Sequence, residues 1–551
     1  MKKATIVLFS AILGLTSIVV LFGACGGGGS DGENLLAFTE PAYFVSVDDP
    51  DADDSNPGTT DLPFASIQAA IDAAALAHST ANVYVAEGNY IVSSQSGTNV
   101  ILAEGISVYG GHAADWTARA RDLYPSVIID ASSAGGISQT PNCAVNAGEV
   151  TEATAIEGFN INGGAGTWSA GILVKDSSPT ISDNDINGGS GVRSAVGVAI
   201  FNASPVLNGN MITGGMNRRS CIGISIENDS APVIEGNVID AGICADTIGI
   251  NQRSGLTVTI RSNSISGGAG SYEATALYNE TDSTPVVEDN LIEGGSAEET
   301  YGIWNYKTGP FVISGNTVHG GRGNYSYGIY SYATSLITIE ANVINGGSGT
   351  SCCGVYETED SANDIRNNLI YGGDGTVSHG VAVWNASPVV RNNTIDSGSA
   401  LNTYGIYFTS SSEPEVENNI IMGPGAAGYG VVEASVASGP ATVNNNDIFG
   451  FSYAFIDQDG GCGGGQVCTI EQMEALLDMT ASGNVSLDPV LEDADGADDD
   501  PATMEDNLWA LTPTSPPEVT GGALDLSADY EDDFTGADRT DPWSMGAYEY
   551  D

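Results

Sequence analysis

Positive charge is scarce in this chain. Among 551 residues, 15 lysines and arginines face 70 aspartates and glutamates, with four histidines, which leaves a formal charge of −55 at pH 7. The lysines are Lys2, Lys3, Lys175 and Lys307. A surface of that sign cannot neutralise phosphates, so nucleic acid is excluded as a partner. It also disfavours other polyanions unless divalent cations intervene, and it disfavours charge-driven adhesion to anionic lipid. A helical period is missing as well: through the middle of the chain no long stretch repeats apolar residues at i, i+3 and i+4. Of the eight cysteines, Cys462 and Cys468 have neither the spacing partner nor the nearby histidine that a zinc site needs.

What the chain does have is a period. Eleven asparagines, Asn184, Asn210, Asn237, Asn263, Asn290, Asn316, Asn342, Asn368, Asn393, Asn419 and Asn446, stand 25 to 27 residues apart. A repeat that short and regular marks a solenoid. Each asparagine sits in a unit such as SSPTISDNDINGG (Ser177 to Gly189) or ASPVVRNNTIDSG (Ala386 to Gly398), where apolar residues flank a polar bend. A second run follows a Gly-rich turn: YGIWNYK from Tyr301, YGIYSYA from Tyr327, HGVAVWN from His379. β-Branched and aromatic runs bounded by Gly, Asn, Ser and Pro are strands, so each repeat is predicted to form one coil. Coils stacked at the inter-strand distance of roughly 4.8 Å bring one asparagine per coil into a ladder of side-chain amides, each carbonyl accepting from a neighbouring NH2. A buried amide left unpaired costs about 1–3 kcal/mol, so these residues are read as architecture and not as active site.

The pattern resembles the right-handed parallel β-helix family, whose pectate-lyase-like members carry such an asparagine ladder at a bend between strands. The resemblance spans about residues 150 to 450 and implies an all-β, single-stranded right-handed parallel β-helix solenoid with short capping helices. It implies no one activity, because lyases, hydrolases, epimerases and adhesins share the scaffold. Ahead of the repeats, GTTDLPF from Gly58 and VYVAEGNY from Val83 resemble the uncharacterised DUF1565-like module that opens many bacterial β-helix surface proteins. Behind them, SLDPVLED, NLWALTPTSPP and DRTDPWSMGAYEY resemble a C-terminal module of exported β-helix proteins, with SPPEV at Ser515 to Val519 where SPAID is usual.

The ends carry address signals. Met1 to Lys3, the apolar run from Ala4 to Val20 and then LFGAC form a basic n-region, an h-region and a small-residue cleavage site. This resembles a bacterial lipoprotein signal with Cys25 lipidated after cleavage behind Ala24; the alternative is an uncleaved span, which about 20 apolar residues would permit. The expected layout is a signal peptide (1–24), a Gly/Ser tether (25–40), an N-terminal cap with the first coils (41–150), the β-helix repeats (151–460), and a C-terminal helix with a capping module (461–551). The mature protein is expected outside the cytoplasm, at an outer membrane or cell surface. Within the cap, Ile67, Ala70, Ile71, Ala74 and Ala75 share one helical face behind Ser66 as N-cap, and such a helix would cover the open strand edge of the first coil. Thr469 to Met479 is predicted as a second helix, with Thr469 and Gln472 as a capping box.

Cysteine usage suits an oxidising compartment. Cys221 and Cys244 fall in successive coils and Cys462 and Cys468 close a glycine-rich loop, so both pairs are candidate disulfides; Cys143, Cys352 and Cys353 are left over. No cofactor is implied, with one exception. Two acidic runs, Asp48, Asp49, Asp51, Asp53 and Asp54 and then Asp493, Asp495, Asp498, Asp499 and Asp500, carry the oxygen ligands that Ca²⁺ takes. Neither follows the EF-hand string.

Function is read from two columns. The residue after each inward apolar residue of the glycine-headed strand should face out, and that column runs Tyr278, Trp304, Tyr330, Tyr356, Ala382, Tyr407, with Tyr306, Tyr332 and Trp384 two residues further on. Aligned exposed aromatics suggest a ligand surface whose flat rings suit the apolar faces of sugars; the structural alternative is that aromatics simply stack for stability. Catalysis is thinly supported. A lyase on this scaffold needs a base, and a hydrolase two carboxyls at roughly 5–9.5 Å. Arg261, Arg366 and Arg391 are expected to pair with acids one coil away, which leaves Lys307 and Arg253 as candidate bases. The favoured reading is a surface-exposed or periplasmic lipoprotein that binds carbohydrate or serves a structural or adhesive role without catalysis; the alternative is a polysaccharide lyase or glycoside hydrolase acting on an extracellular polysaccharide.

Overall fold

Strands of only three residues, each with one inward side chain, set the architecture. In the coil of Asn184 they are Thr180–Ser182 and Asp185–Asn187, followed by the longer Ser194–Phe201. Each pairs in parallel with its counterpart one coil on, Ile181 with Leu207, Ile186 with Ile212 and Val198 with Ile224. Repetition yields three sheets of 16, 14 and 15 strands, here called the first, second and third, which wind into a parallel β-helix. The computed structural model describes residues 38–550 apart from 94–96, 133–141, 218, 281–282, 426–427, 441, 459, 463–466 and 494–506. Inside, stacked Ile, Val and Leu side chains such as Ile181, Leu207 and Ile234 have no exposed surface, a continuous core of the kind that stacked repeats bury together.

The bend between the first and second sheets is built by the asparagines. The residue ahead of each takes a left-handed conformation, as Asp183, Ser262 and Asp289 do, and glycine does so at Gly209 and Gly236; short polar residues and glycine tolerate it best. The asparagine then turns inward. Asn184 Nδ2 donates to Asn210 Oδ1 at 3.1 Å and to the Ile156 carbonyl at 3.0 Å, while its backbone N–H donates to the same Asn210 Oδ1 at 3.1 Å. That pattern repeats to Asn446 and continues one rung further, to Asn484 at 3.1 Å. The period hides this rung, because 38 residues separate the two and the excess holds the Cys462–Cys468 loop.

A second interior polar file lies under the third sheet. Asn279 Nδ2 donates to Asn305 Oδ1 at 2.9 Å, and in register beyond them come Ser331 and Glu357, all without exposed surface. Asn363 Nδ2 donates to Glu357 Oε2 at 2.7 Å.

Cys221 and Cys244 are bonded, with Cα atoms 5.7 Å apart, as are Cys462 and Cys468 at 5.2 Å. Cys143, Cys352 and Cys353 are free and buried. The cap helix is Ile67–Ala77, with the Ser66 hydroxyl accepting from the Ala69 N–H and with Ile67, Ala70, Ile71 and Ala74 buried. Ala75 is exposed, one position off the buried stripe. The second helix is shorter than expected, Ile470–Met473. Its capping box forms, but Met473 is its one buried residue and Leu477 is fully exposed, so no apolar stripe carries it onward.

The C-terminal segment does more than cap. It folds back along the outside of the coils and is held by the residues just ahead of four ladder rungs. Asn367 donates to the Asp532 carbonyl, Asn392 to those of Ser544 and Gly546, Asn418 to that of Leu524 and Asn445 to that of Gly522. Tyr530 lies between Arg366 and Arg391, whose guanidinium carbons stand 4.8 and 5.0 Å from its ring centre. Among the described residues no helix is long and apolar enough to cross a membrane. Cys25 and the expected signal and tether up to residue 37 lie outside the described residues.

Candidate functional site

Two consecutive residues of the long third-sheet strands face the core, and this is what shapes the outer surface. In Glu299–Tyr306 they are Gly302 and Ile303, in Arg322–Tyr332 Gly328 and Ile329. The first must be glycine: a Cβ on Gly302 would lie 2.6 Å from Val318 Cγ1, and one on Gly328 2.6 Å from Ile344 Cγ2. Because strands otherwise alternate, a doubled inward step turns the flanking outward residues toward each other. Tyr301 and Trp304 meet at a centroid distance of 4.8 Å, Tyr327 and Tyr330 at 5.2 Å, Tyr404 and Tyr407 at 5.4 Å.

The result is an aromatic band along the solenoid axis, here called the groove, in which two columns pack against each other and open into a depression between Tyr356 and Tyr407. One is the column read from the sequence, with Tyr278, Trp304, Tyr330 and Tyr356 in register, then Ala382, then Tyr407. The other comprises Tyr301, Tyr327, then Cys353, then His379, Tyr404, Tyr429 and Tyr453, residues that strict alternation along the strand would turn inward. Its rings stack face to face: Tyr301 on Tyr327 at 5.2 Å and 14°, His379 on Tyr404 at 4.9 Å and 15°, Tyr404 on Tyr429 at 5.2 Å and 12°. A third file outside them holds Tyr306 and Tyr332, stacked at 5.2 Å, and then Trp384. The sequence suggested an exposed platform, and here the structure differs. All the rings of that platform are half-buried except Trp384, which is 48% exposed, because each column shields the other. Burial raises the phenols of Tyr278 and Tyr330 to about 12 and those of Tyr301, Tyr327 and Tyr356 further, so their hydroxyls remain hydrogen-bond donors. Burial lowers His379 to about 4 and holds it neutral.

The groove has an acidic flank at its N-terminal end. Asp246, Glu273 and Glu299 stack in register one coil apart, and the Tyr301 hydroxyl donates to Glu299 Oε2 at 2.9 Å. Burial, opposed by the Thr275 hydrogen bond and reinforced by the acids on either side, raises Glu273 to about 7.

The candidate bases are otherwise engaged. Arg253 forms an ion pair with Glu280. Lys307 is exposed, with its Nζ 5.0 Å from the centre of the Tyr306 ring. Arg261 pairs with Glu235 at 2.9 Å and Arg366 with Asp364 and Glu340. Arg391 reaches Asp364 at 2.9 Å and, beyond the coil, Asp529 of the C-terminal segment at 2.7 Å.

In the first acidic run the carboxylates hold the chain itself: Asp49 accepts from the Asp51 N–H, Asp53 from Ser55, and Asp54 from Ala65 and Ser66. Asp48, Asp51 and Asp53 do not converge on a common point; among the described residues the one cluster of metal-ligand type is Asp457 with Cys462 and Cys468, and its two sulfurs are bonded to each other. Asp493 ends the short strand Leu491–Asp493. Asp495, Asp498, Asp499 and Asp500 lie outside the described residues.

Two family profiles match. That described as a protein of unknown function (DUF1565) matches residues 51–271, and that of the right handed beta helix region matches residues 312–471. No curated protein matches the chain. Among solved structures, the Dettilon tailspike protein (gp208) is 12% identical over 66% of this chain and 68% of its own, with a TM-score of 0.42. The A-module of the Azotobacter vinelandii mannuronan C-5 epimerase AlgE4 is 16% identical over 72% of this chain and 100% of its own, with a TM-score of 0.32. Pectate lyase Pel9A is 12% identical over 93% of this chain and 96% of its own, with a TM-score of 0.30. Likenesses this distant carry no argument about activity.

Proposed function

We propose that this right-handed parallel β-helix repeat protein binds a glycan along the aromatic groove of its third sheet and does so as a lipoprotein tethered outside the cytoplasm through Cys25. The observation that carries the reading is the convergence of the two aromatic columns. Partly exposed rings set a coil apart offer apolar surface at the pace of an extended chain, while their phenol hydroxyls supply donors beside them. Structural stacking alone would be served by one column; the doubled inward step adds a second, and the depression between Tyr356 and Tyr407 brings Ser351, His379 and Thr409 together, the concavity with a few convergent polar groups that ligand sites share. The signal-like N-terminus supports the address, and the charge of −55 turns away polyanionic chains. A glycan-array screen of the mature protein, with product analysis of every hit, tests the reading: retained but uncleaved glycan supports it, and an empty array removes it.

A second reading rests on the acidic flank. Side chains one coil apart stand at about the inter-strand distance of 4.8 Å, near the roughly 5–5.5 Å of retaining glycoside hydrolysis, and a glutamate raised to about 7 between two other carboxyls is the arrangement of a general acid with its partner. In that case Glu273 donates the proton, and Asp246 or Glu299 attacks the anomeric carbon. Cleaved glycan in the product analysis would favour it over binding alone.

A further inference from the structure

The central aromatic column is interrupted once. Tyr278, Trp304, Tyr330 and Tyr356 follow one another coil by coil, Ala382 takes the next rung, and Tyr407 resumes the column. We propose that this missing rung is a subsite that takes one uncharged pyranose ring, inserted between Tyr356 and Tyr407 above the Ala382 methyl group. The inference rests on the groove as the glycan-binding surface and names the sugar chemistry that the groove selects.

Spacing is the first argument. Successive strands lie about 4.8 Å apart, so a ring at the level of Ala382 stands about that far from the rung on either side. The occupied rungs stand at comparable intervals, Tyr278 to Trp304 at 5.0 Å, Trp304 to Tyr330 at 6.0 Å and Tyr330 to Tyr356 at 5.2 Å, with the rings tilted against one another by 68°, 89° and 42°. One pyranose chair, with its C–H faces toward the two rings, fills the rung, and two do not fit. The gap is open to the groove as a depression of about 290 Å³, at the small end of ligand pockets.

Chemistry of the walls is the second. Trp384 closes one side with an indole that is 48% exposed. His379 closes the other, its ring 5.2 Å from that of Tyr407 at 63°. Thr409 and Ser351 bring hydroxyls to the edge, and no Asp, Glu, Lys or Arg lines the depression. The N–H of the neutral His379 imidazole is engaged by the Cys352 backbone, which leaves the second ring nitrogen as an acceptor for a sugar hydroxyl. A uronate or an amino sugar would instead bring a charge into a site with no partner for it, which is costly. The carboxylate that bears on Tyr356 from outside the lining is Glu359, and it adds to the exclusion of a uronate.

The test fills the rung. Binding of hexamers of β-1,4-linked glucose, mannuronate and glucosamine to the whole mature chain is measured by calorimetry for wild type, Ala382→Tyr, Trp384→Ala and Trp304→Ala. The glucose hexamer is expected to bind best, and Ala382→Tyr to weaken it at least tenfold while leaving the melting temperature unchanged or higher, since the added ring completes a stack. Trp384→Ala, at an exposed ring whose loss the fold tolerates, is expected to weaken it as well and decides the matter if Ala382→Tyr does not fold. Affinity that falls in Trp304→Ala but stays within twofold of wild type in both pit variants overturns the subsite and leaves the groove standing. A preference for the mannuronate or glucosamine hexamer also overturns it. Failure of all three hexamers to bind overturns groove and subsite together.

Discussion

The Tyr530 hydroxyl donates to Asn392 Oδ1 at 2.6 Å across 138 residues of sequence. Tyr530 is also clasped by two guanidinium groups, so one side chain near the C-terminus closes a polar contact and two cation–π contacts on the flank of the solenoid. Replacing it by Ala should release the C-terminal segment without unwinding the coils. Limited proteolysis should then cut between residues 520 and 550 several-fold faster than in wild type, while the circular dichroism of the strands stays unchanged. An unaltered digestion pattern would show that the segment is held without Tyr530.

Asn316 carries the ladder test. It gives its amide to the Val287 and Ser314 carbonyls and to Asn342 Oδ1, and its own Oδ1 takes the side-chain and backbone N–H groups of Asn290. Asn316→Leu leaves neighbours unpaired on both sides, at about 1–3 kcal/mol per group. The half-buried Ser314, replaced by Ala, loses far less. Equal melting shifts for the two variants would contradict the ladder's role in stability.

Glu357 sets a pH dependence. Full burial raises its carboxyl to about 8, so it stays protonated in the fold up to that pH, whereas an unfolded glutamate ionises near about 4.3. Its contribution is therefore complete below the unfolded value and is lost as pH rises through about 8. Wild type should melt at a lower temperature at pH 9 than at pH 6, and Glu357→Gln should flatten that fall. Parallel falls in both would place the sensitivity elsewhere.

How far these features were legible follows from what each one repeats. The coils and the asparagine ladder recur every 26 residues or so, and a period needs no tertiary information to be seen. Asn484 broke the spacing and was hidden. The second aromatic column was hidden for a different reason: its tyrosines head visible motifs, but which side they face depends on the doubled inward step at Gly302 and Ile303, a departure from alternation that only packing against Val318 reveals. The Asn367, Asn392, Asn418 and Asn445 row shows in sequence as Asn-Asn pairs confined to the last coils. Its purpose needs the C-terminal segment, which arrives from more than 70 residues away. Ala75 and the long second helix were overextended because helical spacing continues past the point where a surface is available to bury it.

The acidic flank separates catalysis from binding. Glu273→Gln should abolish reducing-end release from a bound glycan if the stack hydrolyses it, and should change affinity little. Cleavage that persists in Glu273→Gln would remove this carboxyl as the proton donor.

The anchor is checked by Cys25→Ser. That variant should partition into the soluble fraction, whereas wild type should need detergent for extraction. Continued detergent dependence would point to an uncleaved span.

The groove itself is tested most directly by titrating one array-positive glycan against Trp304→Ala, Tyr330→Ala and Lys307→Ala. Loss of a central aromatic contact should weaken binding by roughly tenfold or more in each of the first two variants, while Lys307→Ala, which removes only an exposed ammonium beside Tyr306, should match wild type. Affinities unchanged in Trp304→Ala and Tyr330→Ala would contradict the account and leave the aromatic columns as packing that faces water.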